Sequence, residues 1–325
     1  MIGDQAQRAA AAPYVLTIGE SMGLVRQTQP GRLVTQRAVE FGFGGAESNV
    51  AIGLSRLGTA AAWCGRLGAD SVGDVIEREL RAEGVRAAVI RDPDAATGLM
   101  LKERPTPGTS RVVYYRRDSA GSRLTAADVL DSLITEAALV HVTGITPALS
   151  ATADAAVEST MRRARAAGVP VSIDLNYRSA LWSARAAADR LAALVPLADI
   201  VFAGDDEAAL LLGALAPVEL ASGLQALGPH EVVIKLGDRG CVAVAGDEHL
   251  ARDAVRVDVV DTVGAGDAFV AGHLAEWIAG APLAQRLETA TAAGAYACTM
   301  SGDWEGLPRR ADIAALSAGG DPVQR

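Results

Sequence analysis

The run Asp261-Thr262-Val263-Gly264-Ala265-Gly266-Asp267-Ala268-Phe269, continued by the apolar stretch Val270 to Ile278, reads as a glycine-rich turn feeding a helix. Gly264 and Gly266 let the backbone approach a ligand closely, and a helix start aims unpaired N–H groups and the positive end of its dipole at whatever lies ahead. That combination suits an anion. Asp267 stands among the same donors, where it is expected to stay ionised at neutral pH and to accept a proton from a hydroxyl while the amides hold a phosphoryl group. The competing structural reading is an aspartate that caps its helix and glycines that close a tight turn.

A second glycine-rich helix start strengthens the first. In Gly44-Gly45-Ala46-Glu47-Ser48-Asn49-Val50-Ala51 the glycine pair permits close approach and the Asn49 amide can hold hydroxyls, although ordinary N-capping by Ser48 explains the same residues. From Ser48 the apolar positions Val50, Leu54 and Leu57 mark one helix face stopped at Gly58, and Val72, Ile76 and Leu80 repeat the pattern up to Gly84. Short β-branched runs at Val15–Ile18, Leu139–Val142, Val171–Ile173, Ile200–Ala203 and Val232–Lys235 alternate with Ala/Leu-rich helical stretches. Such alternation predicts an α/β fold, a mostly parallel sheet with helices on both faces. Residues 32–43 and 97–117 depart from it, being rich in β formers with no helix between them. Pro105, Pro107 and Gly108 supply a turn between the strands Leu99–Glu103 and Arg111–Arg116. These regions predict a small antiparallel β lid over one end of the main sheet. The domain is then expected over 14–312, with 1–13 and 317–325 as mobile termini.

With 30 Lys and Arg against 39 Asp and Glu, the net charge of −9 excludes a basic nucleic-acid surface or a polybasic membrane anchor as the organising feature. Half of the residues are hydrophobic and 21% charged, enough for a large core and too apolar for general disorder. No stretch reaches the uninterrupted apolar length of a bilayer span. The first dozen residues, interrupted by Asp4, Gln5, Gln7 and Arg8, do not read as a signal peptide. Cys64, Cys241 and Cys298 form no CxxC pair, which argues against a disulfide framework or a zinc site and points to a reducing cytoplasm.

Together with Gly65-Arg66-Leu67-Gly68-Ala69-Asp70-Ser71-Val72-Gly73, the two helix starts resemble the signature regions of the PfkB, or ribokinase-like, family of carbohydrate kinases, over about Val15 to Pro308. The resemblance implies a ribokinase-like fold and MgATP-dependent phosphorylation of an alcohol on a small sugar or nucleoside. It makes Asp267 the catalytic base and the amides of Gly264, Ala265 and Gly266 the anion hole. No GxxxxGK[ST] P-loop is present. Gly204-Asp205-Asp206-Glu207 resembles the family's Asn-x-x-Glu element, which implies that Glu207 acts on magnesium and phosphate through water. Lys235, Gly237 and Gly240 lie in a segment similar to the strand-turn bordering ATP, Thr262 joins the nucleotide set, and Thr291 stands where many members have Asn near the adenine. A monovalent cation such as potassium is a further expectation of the family.

Within the family, Tyr114-Tyr115-Arg116-Arg117-Asp118-Ser119-Ala120-Gly121-Ser122, Gly144–Ser150 and Asp174-Leu175-Asn176-Tyr177-Arg178 are similar to the 2-keto-3-deoxygluconate kinase subgroup. By that likeness Gly45, Asn49, Tyr114, Arg116, Arg178 and Asp303 line a sugar-acid pocket. Met100 stands in it where the subgroup carries Tyr, a loss of one phenolic hydroxyl that bears on the preferred substrate. Guanidinium groups suit a carboxylate on an acidic protein, although solvated arginines explain Arg116 and Arg178 equally well. Alternation along the strand allows one of Tyr114 and Tyr115 to face the pocket. The expected reaction is phosphorylation of 2-keto-3-deoxygluconate to its 6-phosphate, the alternative a neutral sugar of the fructose or ribose type or a nucleoside. A nicotinamide-dependent oxidoreductase is disfavoured, since Gly19-Glu20-Ser21-Met22-Gly23 lacks the GxGxxG spacing after the first strand. A catalytically inactive sugar-binding protein is disfavoured by the presence of Asp267 and its glycines. The exposed edges of a lid suit a homodimer.

Overall fold

The computed structural model describes residues 13–106 and 109–317. Apart from Pro13 and Ser317, the expected mobile termini lie outside the described residues, as do Pro107 and Gly108 of the expected turn. The chain forms strands β1 (Tyr14–Ile18), β2 (Met22–Gln27), β3 (Val39–Gly44), β4 (Ala61–Gly68), β5 (Arg86–Asp92), β6 (Leu99–Thr106), β7 (Thr109–Tyr115), β8 (Ala137–Thr143), β9 (Val171–Asp174), β10 (Ile200–Gly204), β11 (Glu231–Lys235), β12 (Cys241–Ala245) and β13 (Glu248–Arg252). Nine of them make one sheet in the order β13-β12-β11-β10-β9-β8-β1-β4-β5, in which all strands run parallel except β12, which pairs antiparallel with β11 and β13.

The central strands are buried on both faces, which is why they read as continuous apolar runs rather than alternating ones. Leu16, Ile18, Val140, Val142, Val201 and Ala203 pack with Val157, Met161, Leu191 and Leu224 of the helices on one face. Val15, Leu139, Ile200, Phe202 and Val233 point the other way, onto Val50, Leu54, Ile76, Leu80, Phe269 and Leu274. The helices Ala46–Arg56 and Ser71–Ala82 run as the apolar spacing predicts, and Asp70 caps the second by accepting the Gly73 N–H at 2.8 Å. No single helix among the described residues is long and apolar enough to cross a membrane.

The lid differs from expectation in two respects. It has four strands in the order β3-β2-β6-β7, and β2 runs parallel to β6, so the sheet is mixed rather than antiparallel. The cause is topological: β2 leaves the body after β1 and β6 leaves it after β5, both parallel strands of one sheet, so the two excursions start out in the same direction. The β structure expected over 32–43 is confined to Val39–Gly44, because the Arg32 carbonyl accepts the N–H groups of Thr35 and Gln36 and closes a turn there. The body strands β1, β8, β9, β10 and β11 all end on the side that the lid covers, where an open parallel sheet collects its ligand-binding loops.

Candidate active site

Between the lid and those strand ends lies a cavity of about 580 Å³. Its floor comes from Glu20 after β1, Asp174 at the end of β9 with Asn176, Tyr177 and Arg178 after it, Gly204 at the end of β10 with Asp206 and Glu207 after it, and Lys235 at the end of β11. Two helix starts close one side. One is Gly45 to Asn49, where a Cβ on Gly45 would sit 2.3 Å from the Glu20 carbonyl oxygen, so only glycine allows the chain past. The other is Gly264 to Asp267, leading the helix Ala265–Ile278. Gly264 has φ +76° and presses against the backbone of Asp303, whose carbonyl oxygen lies 2.0 Å from where a Cβ would be. The lid supplies the roof through Met22, Leu24, Met100, Lys102, Val112 and Tyr114.

Asp267 faces this cavity and accepts a 2.7 Å hydrogen bond from Asn49 Nδ2, so the two glycine-rich segments, 218 residues apart, meet side chain to side chain. It touches the cavity, yet protein atoms surround it densely. Burial, helped by the negative charge of Asp174 and opposed by Asn49, Arg178 and Lys235, pushes its carboxyl up to about 7. This corrects the expectation of an aspartate that stays fully ionised at neutral pH, since desolvation outweighs the hydrogen bond and the cations and leaves it only partly ionised there. Lys235 donates to both oxygens of Asp174 at 2.7 Å, and the carboxyls of Asp174, Glu207 and Asp267 hold its ammonium charged despite burial.

Glu207 accepts the N–H groups of Tyr177 at 2.9 Å and Gly204 at 2.7 Å, and burial raises its carboxyl above the usual range. Arg116 donates from Nε to Glu20 at 2.8 Å, and its guanidinium lies 5.6 Å from the centre of the Tyr114 ring. Tyr114 borders the cavity while Tyr115, 61% exposed, points away, as strand alternation requires. Met100, opposite Tyr114 across β6 and β7, packs with Met22 and Leu24 in the apolar roof. Asp303 packs against Gly44, and its carboxyl is pushed up to about 7, chiefly by desolvation. Arg178 bonds only the Tyr177 carbonyl, at 3.1 Å, among the described residues.

A second cavity of about 570 Å³ opens behind the first and shares Lys235, Thr262 and Gly266 with it. Gly237 and Gly240 border it beside walls of Val255, Val257, Val259, Phe269 and Ala295, a slot suited to a flat heteroaromatic group. Thr291 borders it too, but its hydroxyl bonds back to the carbonyls of Leu287 and Glu288 in its own helix. Of the residues expected for the nucleotide, Gly237, Gly240 and Thr291 border only the second cavity, Lys235 and Thr262 border both, and Glu207 borders the first, among the residues expected for substrate; the two cavities join at the start of the helix Ala265–Ile278.

Three further residues border the first cavity without having been expected there. Glu20 is held by Arg116 and Ser119. Glu47 accepts the hydroxyls of Thr143 and Thr146 at 2.7 Å each, and its burial raises its carboxyl. Lys102, only 3% exposed, pairs with Asp261. The alternation of Met100 and Lys102 on one strand face is the one clue that could have found Lys102.

Residues 12–310 match the family model for the pfkB family carbohydrate kinases. The chain is 38% identical over 305 residues to a 2-dehydro-3-deoxygluconokinase of Bacillus subtilis, covering 93% of this chain and 94% of that one. It is 36% identical over 293 residues to a 2-dehydro-3-deoxygalactonokinase of Haloferax volcanii, covering 89% and 92% respectively. The crystal structure of a putative ribokinase II from E. coli in complex with ATP and Mg2+ superposes with a TM-score of 0.87 at 25% identity, covering 95% of this chain and all of that one.

Proposed function

The chain belongs to the pfkB family of carbohydrate kinases, and from that premise we propose that it transfers the γ-phosphoryl group of ATP to the 6-hydroxyl of 2-keto-3-deoxygluconate. The junction of the two cavities supports this most directly. A sugar acid in the first cavity and a nucleotide in the second would meet at Gly264, Ala265 and Gly266, beside Asp267. The amides at that helix start would hold the phosphoryl oxygens, whose charge spreads during transfer. The sugar oxygen forms its bond to the γ-phosphorus as the bond to the bridging oxygen of ADP breaks, and the hydroxyl proton passes to Asp267. Asn49 fixes the Asp267 carboxylate, and the apolar roof of Met22, Leu24 and Met100 excludes the water that would otherwise hydrolyse ATP.

The described residues hold no cluster of three or more potential metal ligands. Glu207, on the floor of the first cavity, would hold a magnesium ion through water beside the nucleotide phosphates. The ion would neutralise phosphate charge. The exposed lid residues Val39, Phe41 and Tyr115 support a homodimer formed through the lid.

Acid preference rests on Arg178. Of the four cations bordering the first cavity, Lys102, Arg116 and Lys235 each already hold a carboxylate, of Asp261, Glu20 and Asp174. Arg178 is left to form a planar fork with a substrate carboxylate. Arg178→Ala is expected to lower kcat/KM for the keto acid by at least about ten-fold, with little change for fructose or ribose. An ADP-release assay with 2-keto-3-deoxygluconate, its galactonate epimer, fructose, ribose and adenosine tests both points. Preference for a neutral sugar, or equal loss on all substrates, overturns the acid assignment.

The position of the Asp267 carboxyl sets a pH signature. In the free enzyme only the ionised form can take the proton, so log kcat/KM climbs with pH at a slope of about one and levels off above about 7. Asp303→Asn keeps that limb. A profile flat down to pH values near the ordinary carboxyl range would show that burial does not hold the Asp267 carboxyl protonated in the free enzyme.

A further inference from the structure

We propose that Lys102 is a positioning residue for phosphoryl transfer, acting through Asp261 to fix the Gly264–Gly266 amides when the lid is down. The inference rests on the reading of those amides as the phosphoryl cradle and goes beyond it by making the cradle depend on the lid.

Lys102 and Met100 share the inner face of β6, and the Lys102 stem lies along the roof beside Val112. Its ammonium leaves the lid and pairs with Asp261, a residue of the body 159 positions away. Asp261 in turn accepts the Val263 N–H at 3.3 Å through its other oxygen, so one carboxylate binds both the lid and the turn that runs into Gly264. The backbone N–H groups of Val260 and Asp261 donate to the Cys298 carbonyl, which ties the segment to the end of the helix Leu283–Ala297.

A second lid cation works on the other side of the same glycine. Arg26 of β2, the register partner of Lys102, donates to the Ser301 carbonyl at 3.0 Å and reaches Glu305 at 3.4 Å. Glu305 accepts the Asp303 N–H at 3.0 Å, and the Asp303 carbonyl packs on Gly264. Two adjacent lid strands therefore hold the two loops that meet at Gly264.

The Lys102–Asp261 pair is nearly dry, with side chains 4% and 12% exposed, and it costs the cavity a free cation. A pair kept only to staple the lid needs no particular partner in the body. Its placement on the first residue of the phosphate turn gives lid position a direct hold on the amides.

The test is a double-mutant cycle in the full-length kinase with ATP and its best sugar acid. Lys102→Met and Asp261→Asn are each expected to lower kcat about ten-fold while moving the sugar KM less than about three-fold. The double variant should be no worse than the poorer single, because both act through one contact. The amide oxygen introduced by Asp261→Asn can still accept the Val263 N–H, so the turn itself survives, and Lys102→Arg should keep most of kcat. If Lys102→Met destabilises the fold, the Lys102→Arg and Asp261→Asn variants carry the test through kcat at unchanged melting temperature. An unchanged kcat in Asp261→Asn, or losses that multiply in the double variant, overturns the coupling. Normal turnover by Asp267→Asn would instead overturn the underlying site reading, whatever Lys102 does.

Discussion

Asp267→Asn is expected to reduce kcat about 10²- to 10⁴-fold, the range a positioned general base supplies, and at the same time to raise the melting temperature at alkaline pH. The first effect follows from removing the carboxyl that, alone among the described residues, bonds Asn49 at the junction of the cavities. The second follows from desolvation. The folded protein holds the Asp267 proton up to about 7, against an ordinary carboxyl value of 3.8. The folded state thus binds the proton more tightly than the unfolded chain. Its contribution to stability is full below the ordinary value and declines as pH rises to about 7. Asparagine carries no charge at any pH, so the variant escapes that decline at pH 8 and gains nothing at pH 4. Its amide oxygen can still accept from Asn49. Thermal denaturation at both pH values, beside single-turnover kinetics, checks the pair of effects. A variant that is slow but no more stable at pH 8 would show that the site is wetter than the geometry indicates. Near-normal turnover would remove Asp267 from the chemistry.

Gly264→Val is the second large effect. A side chain here meets two separate obstacles: the left-handed backbone at φ +76°, and the Asp303 carbonyl oxygen 2.0 Å from the new Cβ. Either the turn rotates its amides away or the loop through Asp303 moves. Both outcomes misplace donors aimed at a developing charge, and loss of one such donor typically costs about 10²- to 10³-fold in kcat. Gly266→Ala provides the contrast. It has an ordinary helical φ and its Cβ would find only Lys235 Nζ, at 3.8 Å, so it should fold with a wild-type melting temperature. Full activity of Gly264→Val would show that the amides do not need this geometry.

How much of this was legible in the sequence depended on the range of the interaction. The helix starts at Gly45 and Gly264 were written locally, in glycine spacing and the apolar runs after them, and both appear where those patterns put them. That one of Tyr114 and Tyr115 faces inward followed from local alternation, whereas which one came from the family likeness, and Tyr114 is the one bordering the cavity. The lid was only half visible. Met22–Gln27 is a short strand with little alternation, and its parallel partner is a segment more than seventy residues away, chosen by topology. The charge state of Asp267 was misread because its environment is built from Asp174, Arg178 and Lys235, which sequence distance separates and β9 and β11 bring together. The Lys102–Asp261 and Arg116–Glu20 pairs likewise unite residues with no common motif. Sequence pattern reports a residue's own backbone well and its distant electrostatic neighbours poorly.

The roof of the first cavity is not a contiguous insertion. One half, β2 and β3, precedes the first body helix; the other, β6 and β7, follows β5; they join only along the ladder between β2 and β6. Grafting a relative's specificity onto this scaffold by exchanging a single cassette would therefore leave Met22 and Leu24 facing foreign partners, or Met100 and Lys102 doing so. A working chimera has to import both halves together, and lineages that change their sugar must alter two distant stretches of the gene in step.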